Sequence, residues 1–443
     1  MVFRVSKLYL PLITTPKNAV VKSSLPTSKS QKLLTEHGFI RATGNGFFHL
    51  LPLAQKVLDQ CNALIDHFMK KIGGQKMTLP LLTSSSLWKK SGRLGEVAEL
   101  FVLKDKHKKE FVLSPTHEEA ITDLLGMSSP ISYRQLPLRL YQIGTKFRDE
   151  IKPRFGLLRT KEFIMCDLYT FDVDSKDSLD TYEEVNKVYE SLFNTLEISW
   201  LRVKADNSTM GGSRSDEYHI LSHIGEDNLK LCENCNYSWN EEINTENFSC
   251  LRCKSNNLTM KKGVEVAHTF ILDEKYSLPL GATSLLPNGK QKPLVMGCYG
   301  IGVTRLLAAC AESLSHDDAL VWPTLLAPFD LCIIPPKDGS KEQKYGSDWL
   351  EKLCNDAERT YGESAILLDD RTHITIGKRL LDSKRIGIPL LLVIGSKITE
   401  TPPKFELHYT KGNSVKVLEY TELLKELAKY KENKDKLWKN NFD

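Results

Sequence analysis

Long apolar runs and a strong net charge are both missing from this sequence. No stretch of its 443 residues reaches the roughly 18 consecutive apolar residues that a membrane-spanning helix needs, so no membrane partner is expected. The formal net charge of +4 is too small to indicate a nucleic-acid partner by itself. Hydrophobic residues make up 41% and charged residues 26%, which is typical of globular proteins, and the length predicts two or three domains.

The N-terminus lacks acidic residues. None occurs before Glu36, whereas lysine, arginine, serine and threonine are frequent in that segment. This composition, without a long apolar stretch, is typical of an organelle transit peptide rather than a secretory signal. The sequence therefore predicts a transit segment over residues 1–29 and a protein of the mitochondrial matrix. A disordered basic tail is the alternative.

Four of the ten cysteines form two close pairs within residues 229–256, namely Cys232, Cys235, Cys250 and Cys253. Two CxxC pairs at this spacing indicate metal binding rather than disulfides in an intracellular protein. Four thiolates without a histidine fit a closed, structural Zn²⁺ site, and a metal-free loop is the alternative. The other six cysteines are expected to be small core residues.

The pattern of apolar residues changes near residue 328. Before it, helical periodicity over residues 36–72, ending at Gly73, and several hairpin-like segments predict an α+β domain with an antiparallel sheet, over residues 30–326. Within this part, Ser175 is expected to cap a long helix. After it, short apolar strands alternate with helices and predict an α/β domain with a mostly parallel sheet, over residues 327–443.

The stretch KFRDEIKPRFGLLRTKEF, residues 146–163, threads apolar side chains between six lysines and arginines. Two strands joined by a basic loop would present Arg148 from a rigid hairpin, and arginine binds phosphate oxygens in pairs. Phe163, at the start of the returning strand, offers a ring on which a base can stack. The stretch predicts a nucleotide site; a salt-bridged surface hairpin is the alternative.

A second segment, GCYGIGVTR, places Gly297, Gly300 and Gly302 before a helix that carries Arg305 in its first turn. Glycine allows close backbone approach, and a helix N-terminus favours anions. The spacing is neither that of a Walker A loop nor that of a dinucleotide fingerprint. A glycine turn before a core helix is also a common structural feature, so this signal is weak alone.

Together these segments resemble the class II aminoacyl-tRNA synthetases. TKFRDEIKPRFGLLRTKEF is similar to their motif 2, GCYGIGVTRLLAA to motif 3, and GGQKMTLPLLTSSSLWKKSGR, with Pro80, to motif 1. LSPTHEEAI and GVEVAHTF resemble the prolyl-tRNA synthetases in particular. The resemblance covers roughly residues 28–425. It implies a class II catalytic domain before residue 327 and an anticodon-binding domain after it.

The resemblance implies that proline is activated with ATP to prolyl-adenylate and then transferred to the 3′ end of tRNA(Pro). Catalysis in this family rests on positioning and charge stabilisation. By resemblance, Arg148 contacts the α-phosphate and the substrate carboxylate, and Arg305 contacts the γ-phosphate. Glu150 contacts the nucleotide, Phe163 stacks on adenine, and Mg²⁺ bridges the phosphates.

Proline needs acceptors for its ammonium group and an apolar wall for its ring. Thr116 and Glu118 match the ammonium-binding positions of the family, although Glu118 would also suit a helix N-terminus without a substrate role. His268 matches a residue near the ring pocket, and Glu265 is a further pocket candidate. A histidine whose hydrogen bonds are satisfied in the core is the alternative reading of His268.

Other features follow from the same resemblance. Motif 1 implies a homodimer. Phe163 and Gly297 are too close in sequence for the editing insertion of many bacterial relatives, so we expect no cis-editing of alanyl-tRNA. Ala267 stands where the family more often has glycine, and its methyl group is expected to crowd the pocket slightly. Candidate anticodon contacts follow a strand end of the C-terminal domain: Arg371, Lys378 and Arg379.

Two rival functions remain from the sequence. A nucleic-acid-binding accessory factor with a synthetase-like fold would lack the ATP arginines, which are present here. A synthetase for another amino acid, such as threonine, would be expected to use a catalytic zinc held by Cys and His.

Overall fold

The computed structural model describes residues 2–11, 27–207, 210–243 and 249–439. Its α-helices are α1 Lys29–Glu36, α2 Pro52–Lys71, α3 Ser85–Lys90, α4 Glu118–Ser128, α5 Ser175–Thr195, α6 Ser277–Leu280, α7 Val303–Leu314, α8 Lys341–Tyr361, α9 Ile376–Arg385 and α10 Tyr420–Lys439. Its first strands are β1 Phe3–Arg4, β2 Ile40–Gly44, β3 Phe47–Leu50, β4 Gln75–Lys76, β5 Leu82–Ser84, β6 Phe101–Lys104, β7 Glu110–Leu113, β8 Ile131–Ser132, β9 Leu138–Phe147, β10 Glu162–Asp172, β11 Trp200–Lys204 and β12 Arg214–Leu221. The remaining strands are β13 Asp227–Cys232, β14 Ser238–Asn240, β15 Leu258–Asp273, β16 Thr283–Leu285, β17 Gln291–Pro293, β18 Val295–Gly302, β19 Leu331–Ile334, β20 Ile366–Leu368, β21 Leu390–Val393, β22 Lys404–Tyr409 and β23 Ser414–Glu419.

A large mixed sheet, mostly antiparallel, forms the centre of the N-terminal body. Over the described ranges its order is β12-β11-β14-β13-β15-β18-β10-β9-β4, with parallel pairing only between β4 and β9 and between β11 and β14. This confirms the predicted α+β class with an antiparallel sheet. The middle of the sheet, β15-β18-β10-β9, contains the segments similar to motifs 2 and 3.

Helices α2, α5 and α7 pack into the main core beside this sheet. Each has an apolar stripe that the core buries, for example at Val57, Val185 and Leu306. Burying a side chain of this size contributes about 1.5–3 kcal/mol, which is far more than helix propensity supplies. Helix α2 begins with Pro52 at its first position and ends before Gly73, which has a φ of 69°. A positive φ favours glycine, so this end agrees with the prediction.

Two local predictions are wrong. Residues 40–50, which fall in the predicted helical region 36–72, form the β2–β3 hairpin instead. The cap of α5 is Asp174 rather than Ser175, because the Asp174 carboxylate accepts hydrogen bonds from the backbone N–H groups of Lys176 and Asp177. A carboxylate at this position also suits the positive end of the helix dipole.

The C-terminal domain is built on a second sheet with the order β1-β20-β19-β21-β22-β23. The strands β1, β20, β19 and β21 run parallel to their neighbours, and β22 and β23 add an antiparallel edge. This agrees with the predicted, mostly parallel α/β domain. The strand β23 lies at the edge of the sheet, and its valines, Val415 and Val417, are each about half exposed.

The N-terminal residues contribute to this second sheet, which the predicted domain limits did not anticipate. Phe3 and Arg4 pair with Leu367 and Leu368, and Val2 is buried in the core of the C-terminal domain. The backbone N–H and the hydroxyl of Ser6 donate to the Asp370 carboxylate at 2.9 and 2.6 Å. A leader that is removed could not make these contacts. Residues 2–11 are therefore either part of the C-terminal domain or part of a cleaved transit segment, but not both. Residues 12–26 of that segment lie outside the described residues.

We expect a chain that begins at residue 12 to lose about 2 kcal/mol or more of its free energy of unfolding, because a buried side chain and hydrogen bonds to a carboxylate are lost. Denaturant unfolding of the two chains measures the difference. Asp370→Ala should destabilise the full chain but leave the shortened chain nearly unchanged. Equal stability of both lengths would mean that residues 2–11 are dispensable, as a cleaved leader requires.

Candidate active site

The β9–β10 hairpin presents Arg148 and Phe163 on one side of the sheet. Phe163 pairs with Lys146 in the ladder, and the Arg148 backbone N–H donates to the Lys161 carbonyl at 2.9 Å, which closes the base of the loop. The Arg148 guanidinium lies 5.2 Å from the centre of the Phe163 ring. The two side chains therefore form one platform that combines a cation and an aromatic face.

The arginines of the loop fall into two groups. Arg154 and Arg159 bind the Glu226 carboxylate, and Arg159 also binds Glu150 at 2.9 Å. The surface-hairpin alternative thus describes the loop tip. Arg148 differs, because burial and the neighbouring charge of Arg305 lower its pKa. Two guanidinium groups that destabilise each other in a partly enclosed site favour the binding of an anion.

The motif-3-like segment runs along β18 into α7. A Cβ atom on Gly297 would lie 2.5 Å from the Thr170 hydroxyl oxygen, so only glycine fits there. Arg305, in the first turn of α7, donates from Nε to the Leu158 carbonyl at 2.9 Å and from Nη1 to the Glu265 carboxylate at 3.3 Å. These contacts orient its guanidinium before any ligand is bound.

An acidic group faces the same space from α4. Glu118 is fully buried, and one of its carboxylate oxygens accepts from the Thr116 hydroxyl at 2.7 Å and from the Cys298 thiol at 3.1 Å. Burial would raise the pKa of Glu118, but the charge of Arg93 and these hydrogen bonds outweigh burial and lower the pKa. Glu118 is therefore an ionised carboxylate in a dry environment, which suits a cationic ligand.

The facing wall comes from β12 and β15. The His268 ring lies between Ser215, whose hydroxyl oxygen is 2.6 Å from Nε2, and Glu265, whose carboxylate is 3.1 Å from Nδ1. Its hydrogen bonds are satisfied, yet it lines the cavity rather than the core. Burial would raise the pKa of Glu265, but His268 and Arg305 lower it well below the usual range.

All eight residues predicted for ATP and proline line one cavity of about 460 Å³. They are Thr116, Glu118, Arg148, Glu150, Phe163, Glu265, His268 and Arg305. The structure adds Arg93, Glu217, Asn240 and Cys298 to its lining, which the sequence analysis did not single out. Arg93 lies in the motif-1-like stretch but was not singled out. Cys298 is a core cysteine, as predicted, and its thiol also donates to the Glu118 carboxylate.

The four paired cysteines converge at the far end of the β13–β14 hairpin. Their Sγ atoms all lie within 4.8 Å of one another, with 3.5 Å between Cys232 and Cys253 and 3.6 Å between Cys235 and Cys250. A tetrahedron of thiolates around zinc has edges of roughly 3.8 Å, given Zn–S bonds of about 2.3 Å. All ten cysteines are free thiols.

The same hairpin also reaches the cavity. Asn240, the last residue of β14, is almost fully buried, and its amide nitrogen donates to the Glu217 carboxylate at 3.1 Å. Glu217 also lies 2.8 Å from Nε2 of the buried His219. The cysteine cluster and the cavity wall therefore belong to one small structural unit.

The cationic side chains predicted to contact an anticodon already have partners within the protein. Arg379 is fully buried and donates to the backbone carbonyls of Asp369 and Pro335, so its prediction as an RNA contact is wrong. Arg371 forms ion pairs with Asp369 and Asp382. Lys378 is half-exposed and pairs only with Asp382 among the described salt bridges. Of the three, Lys378 is the most accessible to an RNA phosphate.

None of the helices in the described ranges is both long and apolar enough to cross a membrane.

Three comparisons place the chain among known proteins. A family model described as the class II core domain of the tRNA synthetases for G, H, P, S and T matches residues 101–314. The "Probable proline--tRNA ligase, mitochondrial" of Rattus norvegicus is 44% identical over 385 residues, which cover 86% of this chain and 81% of that protein.

Solved structures support the fold. The prolyl-tRNA synthetase of Giardia lamblia in complex with prolyl-adenylate matches with a TM-score of 0.76 and 18% sequence identity, over 94% of this chain and 82% of that one. The prolyl-tRNA synthetase of Cryptosporidium parvum complexed with L-proline and AMP matches with a TM-score of 0.72 and 17% identity, over 93% of this chain and 76% of that one.

Proposed function

The chain belongs to the proline–tRNA ligases, the prolyl-tRNA synthetase family, and from this premise we propose how its residues divide the reaction. The protein uses ATP to activate proline and joins the prolyl group to tRNA(Pro). The proline carboxylate attacks the α-phosphorus of ATP, so that prolyl-adenylate forms and pyrophosphate leaves. The terminal hydroxyl of the tRNA then attacks the acyl carbon, and AMP leaves.

One observation carries the assignment of residues. The lining of a single cavity includes the guanidinium groups of Arg148 and Arg305 and the ionised, buried carboxylate of Glu118. Proline is a zwitterion and ATP is a polyanion. A site with this charge distribution can bind the proline ammonium at Glu118 and Thr116 while its carboxylate meets the α-phosphate at Arg148. Positioning two reactants in this way removes much of the entropic barrier.

The remaining roles are proposed from the resemblance to the family, and the position of these residues in the cavity lining is compatible with them. Arg305, held at the entrance to α7, binds the γ-phosphate, and Phe163 stacks on adenine. Glu150 contacts the nucleotide once the loop rearranges, because its carboxylate is now paired with Arg159. His268 and Glu265 border the proline ring.

Mg²⁺ is the expected companion of ATP. The carboxylates of Glu217 and Glu265 lie close together, with ligand atoms within 4.8 Å of each other and of His268. Oxygen ligands of this kind fit Mg²⁺, which prefers one or two carboxylates plus substrate phosphates. When bound, the ion would neutralise part of the phosphate charge.

We expect ATP–pyrophosphate exchange with proline, and not with a panel of other amino acids. Arg148→Ala should lower the exchange rate about 100- to 1,000-fold, because a donor to the reacting phosphate is lost. Arg359→Ala is the control, since Arg359 is 80% exposed and lies in the C-terminal domain.

Exchange with threonine, or no exchange by a folded protein that still binds nucleic acid, would favour one of the rival functions. An Arg148→Ala enzyme with the parent rate would remove that residue from the catalytic assignment.

The proposed function does not include an editing insertion between the two catalytic motifs. The described residues between Phe163 and Gly297 are taken up by β10–β18, α5 and α6 of the catalytic domain. The C-terminal domain is the proposed reader of the anticodon, with Lys378 as one of its cationic contacts.

A structural Zn²⁺ is proposed for the four cysteines. The fit rests on the tetrahedral spacing of the sulfur atoms and on the backbone N–H groups of Arg252 and Cys253, which point at the Cys250 sulfur at 3.4 and 3.5 Å. Burial would raise the pKa of Cys250, but these N–H groups outweigh it and the pKa falls to about 6. A thiolate is the form that binds zinc.

Purified protein should contain about one zinc per chain, and Cys250→Ser should contain little and unfold several degrees lower, since the metal holds the hairpin together. Elemental analysis and thermal unfolding measure both. Cys354→Ser is the control, because Cys354 is a half-buried cysteine outside the cluster. The site would be refuted by a parent protein that contains no zinc and has the same melting temperature as Cys250→Ser.

A homodimer is proposed from the motif-1 region. The small sheet β5-β7-β6 exposes apolar side chains at its edges, and Leu82, Val102 and Leu103 are each nearly half exposed. By their register Leu82 and Leu103 share one face of this sheet. Exposed apolar residues that share a face mark interaction sites, and the twofold dimer is the most frequent assembly.

Leu82→Glu combined with Leu103→Glu should convert a dimer to a monomer in sedimentation velocity, because charges would be buried at the interface. Val415→Glu with Val417→Glu is the matched control, since both valines are about half exposed on β23 of the other domain. A parent protein that sediments as a monomer would contradict the proposal.

The mitochondrial matrix is the proposed location. The support is the basic, acid-free N-terminus and the mitochondrial designation of the rat relative. Fractionation of cells that express the full chain, with mass spectrometry of the N-terminus, tests the location and shows whether residues 2–11 are kept. Recovery of the full chain only from the cytosol would contradict it.

A further inference from the structure

Arg93 is a buried cation beside the proposed proline site. Only 4% of its side chain is exposed. Its Nη1 donates to Glu118 Oε2 at 3.1 Å and to Glu119 Oε1 at 3.2 Å, so one guanidinium nitrogen joins two carboxylates. Neither partner is more than about 1% exposed, so the three charged groups are shielded from bulk solvent.

The Arg93 guanidinium is held from several sides. The guanidinium carbon, Cζ, lies 4.9 Å from the centre of the Trp88 ring and 5.8 Å from the centre of the Tyr276 ring. Nη2 donates to the Met210 sulfur at 3.3 Å. The group is therefore rigid, and Arg93 also lines the cavity.

The carboxylates use their oxygens differently. In Glu118, Oε2 accepts a hydrogen bond from Arg93, and Oε1 accepts hydrogen bonds from Thr116 and Cys298. Glu119 receives the Ser91 hydroxyl at 2.7 Å and does not line the cavity. Glu118 alone of the pair is therefore placed to meet a ligand.

We propose that Arg93 is a positioning residue for proline, which keeps Glu118 ionised and aimed at the substrate ammonium group. This rests on the proposed role of Glu118. Two buried carboxylates and one guanidinium leave a net charge of −1, which matches the single positive charge of the ammonium. Without Arg93, Glu118 loses the main charge that offsets its burial, so its pKa rises and it takes up a proton more readily beside the second carboxylate.

The direction of the shifts agrees with this reading. Burial raises the pKa of Glu119 more than Arg93 lowers it, and the nearby Glu118 raises it further. Burial would also raise the pKa of Glu118, but Arg93 and the hydrogen bonds of Glu118 outweigh burial and lower it. The charged or titratable groups around Glu118 are Arg93, His117, Glu119, Asp167, Tyr169, Lys275, Tyr276 and Cys298. Arg93 is the cation in ion-pair contact with both carboxylates.

The test is the pH profile of the KM for proline in ATP–pyrophosphate exchange. Arg93→Met keeps the length of the side chain and removes its charge. In this variant the pKa of Glu118 would be raised, and the carboxylate would be protonated at low pH. The affinity of the enzyme for proline should therefore decrease as the pH is lowered and recover as the pH is raised. We expect the KM for proline to increase about 10- to 100-fold near pH 7, because each pKa unit corresponds to a factor of ten. The KM for ATP should stay within about twofold.

Two further variants keep the proposal falsifiable if Arg93→Met folds poorly. Arg93→Lys retains the charge and should keep a flat pH profile. Arg93→Met combined with Glu119→Gln restores the net charge of −1, and should recover most of the proline affinity at neutral pH. A double variant that stays as defective as Arg93→Met, or an Arg93→Met defect that does not change with pH, would overturn the charge role.

Glu118→Gln separates this proposal from the assignment it rests on. It should raise the KM for proline at every pH, because the ionised acceptor is gone. An unchanged KM in Glu118→Gln would refute Glu118 as the ammonium acceptor. A raised KM there, with parent behaviour in Arg93→Met, would refute only the role of Arg93.

Discussion

The register of strand β10 between β9 and β18 is the constraint on which the site depends. It sets Phe163 opposite Lys146, and Asp167 opposite Gly300. Since side chains alternate between the faces of a sheet, a shift of one residue would turn Phe163 away from the cavity. The buried ion pair between Lys146 and Asp167, at 2.8 Å, links β9 to β10. A slipped register would leave a buried charge without its partner, which is costly.

Charge is arranged in the cavity before any substrate arrives. Arg305 is oriented by a carbonyl and a carboxylate, and Glu118 by a guanidinium, a hydroxyl and a thiol. Arg148 remains the cation with the least compensation, because burial and Arg305 both lower its pKa. Fixed dipoles and charges of this kind need no reorganisation during the reaction. This preorganisation is the main source of electrostatic catalysis. The burial of Glu118 strengthens the electrostatic interactions of its carboxylate. Burial also makes the ionisation of this carboxylate dependent on Arg93.

Prediction from sequence succeeded where the signal was local. The hairpin that carries Arg148 and Phe163 and the spacing of Cys232 and Cys235 each lie within one short segment, and the structure contains both. The predicted glycine turn before Arg305 is wrong, because the three glycines belong to strand β18, which leads directly into α7. Prediction failed where a distant partner decides. Arg379 looked like a surface cation, yet carbonyls from elsewhere in the fold satisfy it.

The sequence by itself determined the fold class and the chemical types at the site, because apolar periodicity and short motifs are properties of contiguous residues. Only the tertiary structure decided which side chains meet. Arg93 and Cys298 contact Glu118 across long stretches of chain, and Asn240 joins the cysteine hairpin to Glu217. Phe3 and Arg4, which lie in a segment that reads as a basic leader, pair with a strand more than 300 residues away in the sequence. Contacts of this kind depend on the packing of whole elements, and no local pattern encodes them.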